Sequence, residues 1–339
     1  MKQKIRVALV GTDSLQGKEL KTALDRPGTI FSSVDFFDTD VDEEYSKLTQ
    51  FRGEPAVIHP LASGSLLGAN LAFLASGADV NRNFGVNVLK KQNCRAIDLS
   101  GVFNQDPEIP LIVNGINDDI LAQKRPRLVA NPHPVTIMLS HFYHTLLKSF
   151  NIKKFIGFVL QPVSVFGEEG IHELAEQSVA LLNGRAFPRK VFKEQVAFNL
   201  LFNEEQPDSN GFSPVELQII NEMRNILDRP DLPLCLSVVQ APVFHTYSVM
   251  VHLETDQDIE KKGIEKIFKS SALFKWNPSG WAATPASVAG KNEIHIGRIK
   301  IEQKRPGCVW MWLVADNLTS GSVVNALEVA EKMLALEMD

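Results

Sequence analysis

Short apolar runs separated by helix-compatible stretches dominate the first 130 or so residues. The run Ile5-Arg6-Val7-Ala8-Leu9-Val10 ends at Gly11, and a second glycine, Gly17, opens a helical pattern over residues 18–24. This reads as strand, glycine turn, helix. Further apolar runs fall at residues 33–37, 70–74, 95–98, 110–113 and 127–130, with helix-compatible stretches such as 79–91 between several of them. Strands alternating with helices predict a Rossmann-type, doubly wound parallel sheet.

After Thr136 the texture changes. Amphipathic stretches predict helices over 135–150, 170–182, 214–227 and 258–268, with strand-like runs at 155–163, 236–239, 249–253, 294–301 and 309–314. Alternation in Ile294, Ile296 and then Ile299, Ile301 predicts a mixed sheet with helices on one face. Residues 203–213, rich in Asn, Asp, Ser, Pro and Gly, read as an exposed loop. An apolar helix over 323–336 needs a surface to pack on. The expected division is a nucleotide-type domain of residues 1–131 plus 317–339, and a second α/β domain of residues 132–316.

With 339 residues the chain can bury two cores. A net charge of −5 without a basic block excludes nucleic acid and anionic membranes as partners. No apolar run approaches the roughly 20 residues that span a bilayer, and the start runs into a strand without room for a signal peptide. Cys94, Cys235 and Cys308 lie far apart, with no spacing for a metal or a disulfide framework. Each is read as a buried structural thiol, and a reducing cytoplasm is the expected compartment.

The junction Asn131-Pro132-His133-Pro134-Val135-Thr136 turns the apolar strand Leu128-Val129-Ala130 into an apolar helix. With it stand Gly11-Thr12-Asp13-Ser14-Leu15-Gln16-Gly17, Ile97-Asp98-Leu99-Ser100-Gly101-Val102-Phe103, Gln161-Pro162-Val163-Ser164 and Ala315-Asp316-Asn317-Leu318. In order and spacing these runs resemble the aspartate-semialdehyde dehydrogenase family across nearly the whole chain. Ser237-Val238-Val239-Gln240-Ala241-Pro242-Val243-Phe244 and the run over 314–318 look most like its Usg-type branch, homologues of this amino-acid biosynthetic enzyme whose catalytic residues have drifted. The resemblance implies a semialdehyde-dehydrogenase-like dimerisation domain and hence a homodimer. The runs Val309-Trp310-Met311-Trp312-Leu313 and Val196-Ala197-Phe198-Asn199-Leu200-Leu201-Phe202 suit either that interface or a buried core.

The family adds a thiolate to an aldehyde, passes hydride to a nicotinamide and releases the acyl group to phosphate. In this comparison Pro134 stands at the nucleophile, at a helix start where the macrodipole would lower a thiol pKa. Proline suits the first helical turn, but it brings neither a thiol nor an amide for an oxyanion. His133 reads as a packed or capping side chain, with a chemical role as the alternative. Tyr247 aligns with the general base, and a phenol is a poor proton acceptor at neutral pH. His245, two residues away, would share its face if the segment were a strand. The resemblance places Asn104, Gln218 and Gln240 where cationic groups would hold carboxylate and phosphate, and amides cannot reproduce that pairing. Gln161 is retained, and Glu168 and Glu169 add negative charge just after it.

In the glycine loop Gly11 and Gly17 are kept, Ser14 replaces the middle glycine, and Asp13 would repel a pyrophosphate. Asp13 with Gln16 reads as a capping box. Asp35, Asp38 and Asp40 are placed at the end of the second strand, which argues against NADP; an acidic residue there, Asp38 above all, could meet the ribose of NAD. The main expectation is a chain without cofactor and without metal, a non-catalytic dimeric scaffold or regulator. The alternative is an NAD-dependent oxidoreductase acting on an aldehyde or related carbonyl through His133 or His245. A third reading is a small-molecule or protein-binding module retaining Gln161, Ser164 and Ser248, whose ligand no residue pattern identifies.

Overall fold

A computed structural model describes residues 5–41, 47–91, 94–202, 205–277 and 282–338. The chain forms two compact units, one running to His133 and resuming at Ser322, the other Pro134–Gly321. The expected boundaries, after residues 131 and 316, lie two and five residues before these crossings. Asn131 is tied within the first unit, accepting from Asn325 Nδ2 at 2.8 Å and donating to Ser322 Oγ at 3.2 Å. The Asp316 carboxylate accepts from the amides of Leu318, Thr319 and Gly290 at 2.8–2.9 Å, which holds the residues after 316 in the second unit.

The first unit contains β1 (Arg6–Val10), α1 (Leu15–Leu24), β2 (Ser33–Asp38), β3 (Lys47–Phe51), β4 (Glu54–Pro60), β5 (Leu71–Leu74), α2 (Ala78–Lys91), β6 (Arg95–Asp98), α3 (Asp119–Lys124) and β7 (Leu128–Ala130). Its sheet has the order β3-β4-β2-β1-β5-β6-β7, parallel except for the β3–β4 hairpin. The strand order reverses at β1, so Gly11 leaves the sheet at the topological switch point where such folds bind ligands. The hairpin lacks an alternating apolar signal: four of its five β3 residues are at least partly exposed. Arg52 and Gly53 close it with φ of 52° and 78°, the mirror-image turn that follows strand twist. The predicted strand over 110–113 is a single bridge, Leu111 to Ala130, because Pro110 donates no N–H and the chain turns at Gly115.

The second unit contains α4 (Pro134–Leu147), β8 (Ile152–Gln161), α5 (Gly167–Leu182), β9 (Leu201–Phe202), α6 (Pro214–Ile226), β10 (Leu234–Gln240), β11 (Tyr247–Thr255), α7 (Lys261–Lys269), β12 (Phe274–Trp276), α8 (Pro285–Val288), β13 (Ile294–Glu302) and β14 (Arg305–Ala315). The mixed sheet runs β12-β13-β14-β11-β8-β10-β9. Alternate residues such as Phe155, Val159, Val249, Val251, Met311 and Leu313 share one core with Phe142 of α4, Met223 of α6 and Phe268 of α7. The intervening residues point the other way and leave Phe158 and Trp310 exposed. The predicted loop over 203–213 carries no helix or strand among its described residues, 205–213.

The last helix, α9 (Val324–Met338), returns to the first unit and buries Ala326, Val329, Ala330 and Met333 in its core. Cys94 and Cys308 are buried, but Cys235 is exposed, contrary to the sequence reading, because it faces outward on β10. In the run 196–202, Val196 and Ala197 are buried while Phe198, Leu200 and Phe202 lie open.

Candidate functional site

In the first unit the turn after β1 is built by its glycines. A Cβ on Gly17 would collide with the Gly11 carbonyl, and one on Gly11, at φ 87°, with the backbone of Ser76. Ser14 is the N-cap of α1: its Oγ accepts from the Gly17 amide at 2.9 Å and donates to the Gly11 carbonyl at 3.0 Å. The cap is therefore Ser14 and not the expected pair of Asp13 and Gln16. The Asp13 carboxylate is paired with Lys47, and Gln16 donates to Ser322 Oγ at 3.4 Å. Leu15 opens the helix, and Thr12 Oγ1 donates to the Phe37 carbonyl at 3.4 Å. Lys47 had no signal in the sequence, since its hairpin had none. It neutralises the charge expected to repel a phosphate.

Asp38 is buried, and its two oxygens accept from the amides of Asp13 and Thr39 at 2.9 Å. Its first task is to hold the glycine turn. Asp35 is not at the strand end; it sits mid-strand and pairs with Arg6 at 2.6 Å. A dinucleotide fits this loop only if Ser14 gives up the Gly17 amide, because that N–H is one a pyrophosphate at the helix start would need. In the loop after β6, Asp98 is fully buried and receives Asn81, Ser100 and Gly101. Burial raises its pKa above the usual carboxylate value. Asn104 is buried in the same loop, its backbone N–H donating to the Gly101 carbonyl at 3.1 Å. His133 is half-buried, and desolvation lowers its pKa to about 4, which keeps it neutral.

In the second unit Pro134 is the first residue of α4, so the helix start survives without a donor there. A Cβ on Gly321 would approach Pro134 Cβ to 2.8 Å, so only glycine lets that turn pack against the ring. Three of the expected site residues, Gln161, Gln240 and Tyr247, come together at strand ends although they are far apart in sequence. Gln161 and Gln240 are register partners at the parallel ends of β8 and β10. Gln161 Nε2 donates to Gln240 Oε1 at 3.1 Å, and Gln240 Nε2 donates to the main-chain carbonyls of Gln161 at 2.9 Å and Ala241 at 3.0 Å. The Tyr247 hydroxyl donates to Gln161 Oε1 at 3.4 Å. Tyr247 is 1% exposed, and burial pushes its phenol far above its ordinary pKa. Its hydroxyl therefore stays protonated near neutral pH.

His245 does not share the face of Tyr247. It lies in a bend before β11, and Thr246 between them has φ 76°, which breaks strand alternation. Gln218 is turned along its own helix to Glu222 Oε1 at 2.7 Å, and the other Glu222 oxygen accepts from Thr136 Oγ1 at 2.6 Å. Glu222 is 2% exposed, a buried carboxylate that the sequence reading missed although it stands four residues from Gln218. Ser164 and Asn317 exchange hydrogen bonds at 3.1–3.3 Å, and Asn317 also accepts from the Thr246 amide. Glu168 and Glu169 are exposed in the first turn of α5. A cavity of about 350 Å³ opens beside Gln161 and Gln240, walled by Phe166, Phe192, Phe202 and Lys193.

A Rossmann-type domain with a parallel sheet, joined to an α/β domain with a mixed sheet, defines a two-domain nucleotide-type dehydrogenase architecture. A family model described as the semialdehyde dehydrogenase NAD-binding domain matches residues 6–124, and one described as the semialdehyde dehydrogenase dimerisation domain matches residues 144–320. The chain belongs to the semialdehyde dehydrogenase family. It is 26% identical to an aspartate-semialdehyde dehydrogenase of Shewanella violacea, covering 98% of this chain and 99% of that one. It is 27% identical to a USG-1 protein homolog of Pseudomonas aeruginosa, with the same coverage. Among solved structures, a probable aspartate-semialdehyde dehydrogenase from Pseudomonas aeruginosa superposes with a TM-score of 0.89 at 27% identity, covering 98% of this chain and 99% of that one. Aspartate-semialdehyde dehydrogenase II of Vibrio cholerae, complexed with ASA, has the same fold, with a TM-score of 0.89 at 24% identity and coverage of 98% and 99%. Among the described residues no helix is long and apolar enough to cross a membrane.

Proposed function

We propose that this chain is a non-catalytic member of its family, retained as a homodimeric scaffold or regulator. The observation that carries this reading is the closed network of Gln161, Gln240 and Tyr247, whose polar groups are spent on one another. Pro134 offers no nucleophile at the start of α4, and Ser14 spends the Gly17 amide on capping its own helix. Asn104, Gln218 and Gln240 provide no cation for a carboxylate or phosphate. The dimer is supported by the dimerisation-domain match and by open apolar side chains in the second unit, such as Val179 and Leu182.

The test is an assay of purified protein for phosphate-dependent oxidation of aspartate semialdehyde with NAD or NADP. Activity that persists after Cys94, Cys235 and Cys308 are all replaced by serine would sink the proposal. A second reading, an NAD-dependent oxidoreductase of altered chemistry, is favoured by one observation: Gly11 and Gly17 still build the tight turn at the switch point. Calorimetry with NAD decides it. Heat of binding at millimolar cofactor supports this second reading, and none removes it.

A further inference from the structure

Three residues outside the candidate site described above meet on the sheet of the second unit. His252 on β11, Glu302 at the end of β13 and Cys308 on β14 each offer one ligand atom, and these atoms lie within 4.8 Å of one another. The register explains the meeting. His252 pairs with Trp310 and Glu254 with Cys308, so His252 and Cys308 are diagonal neighbours on one face. Glu302 stands at the hairpin end opposite Arg305 and reaches back along the sheet.

The carboxylate is held in place. Arg305 donates to Glu302 Oε2 at 2.8 and 3.1 Å, and Trp310 Nε1 donates to Oε1 at 3.3 Å. Trp310 also lies against the His252 ring, with centroids 4.5 Å apart. These contacts aim Glu302 Oε1 at His252 Nε2, 3.5 Å away, without the alignment of a hydrogen bond. His252 is only 5% exposed, and its Nε2 is buried with no hydrogen-bond partner. A buried imidazole nitrogen left in this way calls for a ligand. Cys308 is 6% exposed, and burial raises its thiol pKa. A cation would reverse that balance and release the thiol proton to solvent.

We propose that His252, Glu302 and Cys308 form a divalent zinc site with a solvent-filled fourth position. The mixed S, N and O donor set suits a borderline-soft ion and disfavours magnesium and calcium, which take oxygen. Tetrahedral zinc sets neighbouring ligand atoms roughly 3.3–3.7 Å apart, given its bond lengths. Small side-chain rotations therefore close the site. Glu302, with 30% of its side chain exposed, marks the way in, while Arg305 and Trp310 orient the ligand from behind.

The test uses the full chain, stripped with chelator and titrated with Zn²⁺ by calorimetry and with Co²⁺ by absorption. One ion per chain is expected, with a thiolate-to-cobalt charge-transfer band. Cys308→Ser should abolish the band, and Cys308→Ser and the near-isosteric Glu302→Gln should each weaken Zn²⁺ binding by at least about tenfold, since even outer-shell changes cost that much. His252→Ala should do the same, with far-ultraviolet circular dichroism checking that it folds. Cys235→Ser removes the exposed thiol and should leave binding unchanged. The proposal is overturned by absence of Zn²⁺ binding, by a Co²⁺ complex without the thiolate band, or by a band that vanishes with Cys235 and not with Cys308.

Discussion

Gln161 Nε2 donates to Gln240 Oε1 at 3.1 Å, and Gln240 Nε2 donates back to the Gln161 carbonyl at 2.9 Å. Two side chains at the ends of two parallel strands thus pair with each other. The pair borders the cavity walled by Phe166, Phe192 and Phe202.

If the proposed function holds, introducing a thiol at residue 134 and an imidazole at residue 247 should not produce chemistry. In the double variant Pro134→Cys, Tyr247→His the first turn of α4 does not require proline, while the buried position of Tyr247 makes circular dichroism the check that the variant folds. It should show no phosphate-dependent aldehyde oxidation above the unaltered chain, because Gln240, Asn104 and Gln218 still supply no cation. Reduced nicotinamide followed by absorbance reads the outcome. Turnover in that variant would mean that the network opens for substrate.

Ser14 should matter more to the helix than to any ligand. Removing the side-chain cap by Ser14→Ala is expected to cost about 1 kcal/mol, and Ser14→Gly only a few tenths. Chemical denaturation measures both. Gly17→Ala should cost more than either, about 2 kcal/mol or beyond, because its Cβ has no room against the Gly11 carbonyl. Equal losses at Ser14 and Gly17 would contradict this packing.

Much of the fold was legible because periodicity reports burial. Buried strands such as β5 and β7 stand out as unbroken apolar runs, and the alternation of β13 showed which face meets the core. The β3–β4 hairpin was not legible, since its β3 strand is mostly exposed at the sheet edge and its turn uses Arg52 before Gly53. With the hairpin went Lys47 and its pairing with Asp13. Glu222 was hidden for another reason: a lone glutamate in an amphipathic helix resembles a solvated face until Thr136 arrives from another helix. His252, Glu302 and Cys308 share no local spacing, so only strand register brings them together.

Thr136→Val keeps shape but removes one donor from a buried carboxylate. A loss of about 1–3 kcal/mol is expected, the usual cost of a buried acceptor deprived of a partner. Thr136→Ser, which keeps the hydroxyl, should recover most of it. If valine and serine behave alike in denaturant unfolding, the Thr136–Glu222 bond contributes little.

The proposed dimer makes a surface prediction. Val179 and Leu182 on α5 and Phe198, Leu200 and Phe202 around β9 are 58–78% exposed in the single chain. Open apolar side chains in such number mark an interaction surface. The double variant Leu182→Glu, Phe202→Glu should run as a monomer in light scattering at micromolar concentration while the unaltered chain runs as a dimer. A variant that remains dimeric would place the interface elsewhere.

Acid should weaken the fold before most carboxylates titrate. His133 and His141 have pKa values lowered from 6.5 to about 4, chiefly by burial. Between those values the unfolded chain binds protons that the folded chain refuses, so stability rises with pH across that window and levels off above it. Each histidine can add a slope of up to about 1.4 kcal/mol per pH unit there, less to the extent that solvent reaches it. Melting temperature measured from pH 7 down to 4.5 should fall, and His141→Gln should remove a large part of the fall while leaving the value at pH 7 nearly unchanged. A profile as steep in that variant as in the parent would assign the acid sensitivity to other groups.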